Sequence, residues 1–192
     1  VSCLDLEDVA PDKQQIMASR SFGHPVFDLE DLSESVASHT TRAAEKLRAQ
    51  RHLAGVITVM IRSNPFKPWE PQYNRSEMVP LPEPSADTRE LIKAALWGLR
   101  RIYRSGYAYK KAGVMLSGLE PELRRQASLL VDPEHERKSA ALMQAMDHIN
   151  ERWGRGSLRP LATGFSANWK MRRENLSPAW TTRWDALPRV TG

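Results

Sequence analysis

The stretch Gly55-Val-Ile-Thr-Val-Met-Ile-Arg62 constrains this chain more than any other. It is β-branched with period-two alternation, which marks a half-buried strand. Its flanks then organise themselves around it. A helix is predicted over about 28–51, with Asp28 as its N-cap and Glu30 and Asp31 in a first turn whose dipole favours acids. Leu29, Leu32, Val36, Ala43 and Leu47 supply its apolar stripe. Ahead of it, residues 16–22 read as a strand closed by Gly23 and Pro25. After the central strand, Pro65, Pro68 and Pro71 force a loop, and Asn74 to Leu81 read as a strand cut off by Pro80, Pro82 and Pro84. A second helix opens at Asp87, where Asp87 and Glu90 have the spacing of a capping box. Leu91, Ile92, Ala95, Leu99 and Ile102 form its stripe, Gly106 ends it, and Tyr107 to Leu116 make the last strand.

The order β-α-β-β-α-β is the split ferredoxin-like pattern: an α+β fold with a four-stranded sheet and two helices on one face. The pattern changes after Gly118. Residues 119–131 read as a connector, and Asp132-Pro133 starts a helix with Leu142, Ala145, Met146 and Ile149 at helical spacing. From Arg152 onwards there is no periodicity, only glycines and prolines alternating with Trp153, Phe165, Trp169, Trp180 and Trp184. Such an irregular, aromatic extension docks either on its own domain or on a partner. Residues 1–15 are acidic, broken by Pro11, and read as a linker.

With 192 residues, the chain has room for one domain and an appendage. Its single cysteine, Cys3, rules out an internal disulfide and any cysteine-based zinc site, and fits a reducing cytosol. No apolar run approaches the ~18 residues of a membrane span, so no membrane role is expected. The acidic start does not read as a signal peptide. Beginning at Val1, the chain reads as a piece of a longer one or as a start at an alternative codon.

Charge is segregated along the sequence. Residues 13–118 hold 16 basic and 10 acidic side chains, residues 119–151 hold 4 and 7, and residues 152–192 hold 8 and 2. Two basic regions around an acidic connector point to two contact surfaces, with polyanions as the obvious partner and a solvated surface as the alternative. The five histidines have no ligand-like spacing, and there is neither a glycine-rich phosphate loop nor a nucleophile elbow. No catalytic residue, metal site or cofactor is expected in this chain.

The informative motif is Ser19-Arg20-Ser21-Phe22-Gly23, two hydroxyls around an arginine on a strand edge. Such a group offers donors to phosphate oxygens without reading bases. In context, the run Cys3-Leu-Asp-Leu-Glu-Asp-Val-Ala-Pro-Asp-Lys-Gln-Gln-Ile-Met-Ala-Ser-Arg-Ser-Phe-Gly resembles the junction of thumb and little finger in UmuC-like Y-family DNA polymerases, the DNA polymerase V group. Thr41-Arg-Ala-Ala-Glu-Lys-Leu-Arg, Tyr109-Lys-Lys-Ala-Gly-Val-Met-Leu and Leu176-Ser-Pro-Ala-Trp-Thr-Thr-Arg-Trp agree with that family in the same order.

The resemblance implies a little finger over 16–118, gripping a primer–template duplex through its sheet, and the family's C-terminal extension over 132–192. Ser19, Arg20 and Ser21 would hold template-strand phosphates, with Arg62 and Lys111 as further contacts. Neighbours on a strand face opposite ways. By that parity Lys111 shares the DNA side with Tyr107 and Tyr109, while Lys110 shares the helix-covered side with Ala108, Ala112 and Val114. In the connector, Gln126-Ala-Ser-Leu129-Leu130 resembles the bacterial sliding-clamp-binding pentapeptide, with Leu130 where the family commonly has an aromatic.

The basic aromatic tail, with Trp169, Arg172, Arg173, Trp180, Arg183 and Trp184, would contact a UmuD′-like accessory subunit or the RecA filament. Stacking on single-stranded DNA and packing on the chain's own helix are its alternatives. The palm, with its Mg2+ and catalytic carboxylates, would lie upstream of Val1, so nucleotidyl transfer is not expected from this chain alone. The implied setting is a bacterial cytoplasm and SOS translesion synthesis.

Overall fold

The computed structural model describes residues 13–124, 133–165 and 169–171. Strand β1 (Ile16–Val26) is followed by helix α1 (Leu29–Ala49), the hairpin strands β2 (His52–Ser63) and β3 (Asn74–Ser85), helix α2 (Thr88–Ile102) and strand β4 (Tyr109–Pro121). Helix α3 (Pro133–Trp153) comes after them, with proline at its first position as expected. The sheet order is β1-β4-β2-β3 and every ladder is antiparallel. Each βαβ unit is therefore split, β4 lying between β1 and β2, and β2 between β3 and β4.

A ferredoxin-like order would centre β1 and β3; here they are the edges. Proline explains the choice, since a residue without N–H is tolerated in an edge strand and not in a central one. It also explains why both strands outrun their expected ends. β1 continues through Gly23 and Pro25, with a register shift between Ser21 and Val26, and β3 continues through Pro80, Pro82 and Pro84. The central strands carry no proline until β4 ends at Pro121. β4 also crosses the expected boundary at Gly118, with Leu119, Glu120 and Pro121 pairing with Ala54, Leu53 and His52.

One face of the sheet buries Ile16, Ala18, Ile57, Val59, Ile61, Ala112, Val114 and Leu116 against the stripes of α1 and α2. Full burial of each large aliphatic side chain contributes roughly 1.5–3 kcal/mol, so this face holds the domain together. The helix starts follow the sequence with two differences. Asp28 caps α1 by position only, whereas the Asp87 carboxylate accepts from Arg89 N at 2.7 Å. The expected capping box closes through a third residue: Ser85 Oγ accepts from Asp87 N at 3.1 Å and donates to Glu90 Oε2 at 2.5 Å. α2 ends at Ile102, four residues before Gly106, and Tyr103 N bonds back to Leu99 O at 2.9 Å.

α3 packs at the junction of the two helices, and of its expected stripe Met146 is buried, Ile149 is half-buried, and Leu142 and Ala145 are exposed. Met143 and Met146 are buried, whereas Leu142 is 44% exposed. Asp147 receives a two-pronged bond from the Arg48 guanidinium, 2.6 Å on each oxygen, and Arg48 also donates to Ala86 O and Thr88 Oγ1. One side chain thus ties the end of α1 to the start of α2 and to α3.

Trp169 requires the largest correction. Assigned to a partner-binding tail, it is 4% exposed and sits in the core of the domain. Its indole meets Phe22 and His39 edge-on, with ring centroids 6.2 and 5.8 Å apart, and its carbonyl accepts from Gly23 N. An indole offers more apolar area than any other side chain, and the gap beside α1 and β1 takes all of it.

Candidate nucleic-acid interface

The register determines what the uncovered face of the sheet presents, because residues directly opposite on neighbouring strands share a face. Ser21 pairs with Lys111, Lys111 with Arg62, and Arg62 with Asn74, giving one polar, cationic row across all four strands. The next row is Ser19, Gly113, Met60 and Ser76, and the one after it Met17, Met115, Thr58 and Met78. None of the three rows contains a carboxylate.

Lys111 and Arg62 are like charges at directly opposed positions, an arrangement that destabilises a bare sheet. Neither has an ion-pair partner among the described residues. An anion bridging the two would remove their repulsion. The middle row keeps the platform shallow. A Cβ on Gly113 would come within 2.3 Å of Ser19 Cβ, so only glycine lets β1 approach β4 this closely.

The structure brings four of the five expected contacts together, Ser19, Ser21, Arg62 and Lys111, and separates the fifth. Arg20 pairs with the buried Ala112 and shares its side of the sheet with Ala18 and Phe22, so it faces the edge of α1 rather than the open platform. Alternation along a strand excludes a face common to all of Ser19, Arg20 and Ser21.

Lys111 lies on the open face, but the parity argument that put it there fails. Tyr109 is fully buried, on the core side with Ala112 and Val114, because the register slips between Arg62 and Ser63. Lys110 is the extra residue at that bulge, and its ammonium donates to Phe22 O at 2.6 Å. The Tyr109 hydroxyl is satisfied, donating to Arg104 O at 2.8 Å and accepting from Arg104 N at 3.0 Å. Burial pushes its pKa up, so the phenol stays neutral.

Sequence reasoning missed Asn74, Ser76 and Met60, which complete the rows; only the strand register identifies them. Gln126, Leu129 and Leu130, and the tail residues Arg172, Arg173, Trp180, Arg183 and Trp184, lie outside the described residues. Among the described residues no three His, Cys, Asp or Glu side chains come together as metal ligands, and no helix is long and apolar enough to cross a membrane.

Residues 13–129 match the family described as the impB/mucB/samB family C-terminal domain, and residues 140–190 match a domain of unknown function. The chain is 43% identical over 188 residues to the protein UmuC of Salmonella typhimurium, covering 98% of this chain and 44% of that protein. It is 40% identical over 193 residues to the protein MucB of Escherichia coli, covering 99% of this chain and 44% of the relative. The chain thus spans less than half the length of these curated relatives. A solved complex of a β-clamp processivity factor with the little finger domain of PolIV aligns with a TM-score of 0.40 at 15% identity, over 61% of this chain and 99% of that one. The chain belongs to the impB/mucB/samB family and is similar, along nearly its whole length, to the C-terminal part of UmuC-like proteins.

Proposed function

We propose that the open sheet face holds the phosphate backbone of a primer–template duplex, as the DNA-gripping part of a UmuC-like Y-family translesion polymerase. The observation that carries this reading is the row Ser21–Lys111–Arg62–Asn74: two opposed cations, flanked by neutral donors, that have no ion partner among the described residues, on rows of the sheet without a carboxylate. Cations and hydroxyls on a flat platform contact phosphates and carry no base code. Binding is therefore independent of sequence and falls log-linearly with salt.

Fluorescence anisotropy of the chain on a labelled primer–template duplex, across a salt series, tests the proposal. Lys111→Ala and Arg62→Ala should each weaken binding several-fold and flatten the salt slope by about one unit. Binding that ignores both substitutions would overturn it. The reading extends to partners. Gln126, Leu129 and Leu130 would dock on a sliding clamp, so Leu129→Ala with Leu130→Ala should abolish clamp capture and spare the duplex. The tail beyond Met171 would meet a UmuD′-like subunit or a RecA filament during SOS mutagenesis.

A further inference from the structure

Arg20, set apart from the open face, lines a cavity of about 680 Å³ at the outer edge of β1. Arg42 and Lys46 of α1 and Lys170 of the C-terminal segment join it, and among the described residues no carboxylate lines the space. Arg42 and Lys46 are one helical turn apart, a like-charge spacing that destabilises a helix. None of the four cations has an ion partner among the described residues. Ser38 of α1 adds a hydroxyl-bearing residue to the lining.

The inner wall is made by His39 and Trp169, whose Nε2 and Nε1 atoms are buried without hydrogen-bond partners among the described residues. Among the described residues the wall holds no compensating negative charge, and burial with Arg20 and Arg42 nearby keeps His39 neutral at physiological pH.

We infer that this cavity is a phosphate-binding pocket built jointly by the sheet domain and its C-terminal extension. Four cations around one space, with Ser38 among them, match the charge and acceptor oxygens of a phosphate group. The docked Trp169 brings Lys170 to the site, which gives the extension a direct part in anion binding. The phosphate comes either from a nucleic-acid strand passing the outer edge of β1 or from a free phosphate compound. The first source rests on the proposed function; the pocket's affinity for phosphate does not.

The test uses the whole chain, following the Trp169 indole N–H resonance, assigned with Trp169→Phe, during titration with inorganic phosphate at constant ionic strength set by chloride. Saturable movement is expected, and Arg42→Gln or Lys170→Gln, both at exposed positions, should weaken it roughly tenfold. Lys111→Gln should lower duplex affinity and leave this phosphate response intact, so the two readings fail separately. A duplex that moves the same resonance, in an Arg42-dependent way, assigns the strand as source; movement with inorganic phosphate alone assigns a free phosphate compound. No movement, equal loss in Lys111→Gln, or tighter binding of poly-glutamate than of phosphate would overturn the pocket.

Discussion

His39 is the side chain whose surroundings most constrain its charge. Burial, then Arg20 and Arg42, lower its pKa from 6.5 to about 4. A histidine held neutral in the fold binds fewer protons than in the unfolded chain between those values, so stability rises with pH across the window. The contribution is fully present above pH 6.5 and is lost as pH falls towards 4, amounting to about 3 kcal/mol over the range. Urea midpoints of the wild type should therefore drop between pH 7 and pH 4.5, and His39→Gln should flatten most of that drop. An unchanged slope in the variant would reassign the acid sensitivity to other groups. Asp87 titrates lower still: burial works to raise its pKa, and the Arg89 guanidinium and Ser139 hydroxyl more than offset it.

Among elements, α3 is joined to the sheet domain by a few specific contacts rather than by a broad apolar stripe. Met143 and Met146 are buried, and Arg48 fixes Asp147 while satisfying Ala86 O and Thr88 Oγ1. Arg48→Met leaves two acceptors and a carboxylate without their donor, and should cost about 2–3 kcal/mol. Asp147→Asn, at a site 37% exposed, should cost about 1 kcal/mol or less. Chemical unfolding of the two variants gives the comparison, and equal losses would mean that the pair, not the wider Arg48 network, supplies the stability.

The element order was legible because each helix carries a clean stripe and each strand a clean alternation. The slip at Lys110 was not, because a bulge changes parity without changing composition. Tyr109, Lys110 and Lys111 read as one alternating run, and only the pairing with Arg62 and Ser63 shows that they do not alternate. Ser19 and Ser21 were legible as donors for the same reason that Arg20 was assigned with them: the motif specifies donors, and the pleat decides which side each one takes.

At the scale of the whole molecule, charge that is segregated in sequence converges in space. Lys170, from the basic C-terminal region, stands beside Arg20, Arg42 and Lys46 from the basic first region. Nothing in the sequence located that meeting, because the chain after Arg152 has no periodicity to project. Trp169 is the bolt that makes it. Trp169→Ala removes a buried indole from contact with Phe22 and His39, and should cost about 3 kcal/mol. It should also return the His39 pKa towards 6.5 by admitting water, which the imidazole proton resonances read directly. A destabilised variant with an unmoved His39 would mean that the extension stabilises the domain without sealing that site.

The two outer strands have a consequence for how the protein behaves when crowded. Pro80, Pro82 and Pro84 deprive one border of donors, and at the other Gly23 N is already engaged by Trp169 O. A stray extended segment is therefore hindered from pairing along the proline run of β3 and at Gly23 of β1. Copies crowded together then have fewer stretches of edge strand at which to pair with one another.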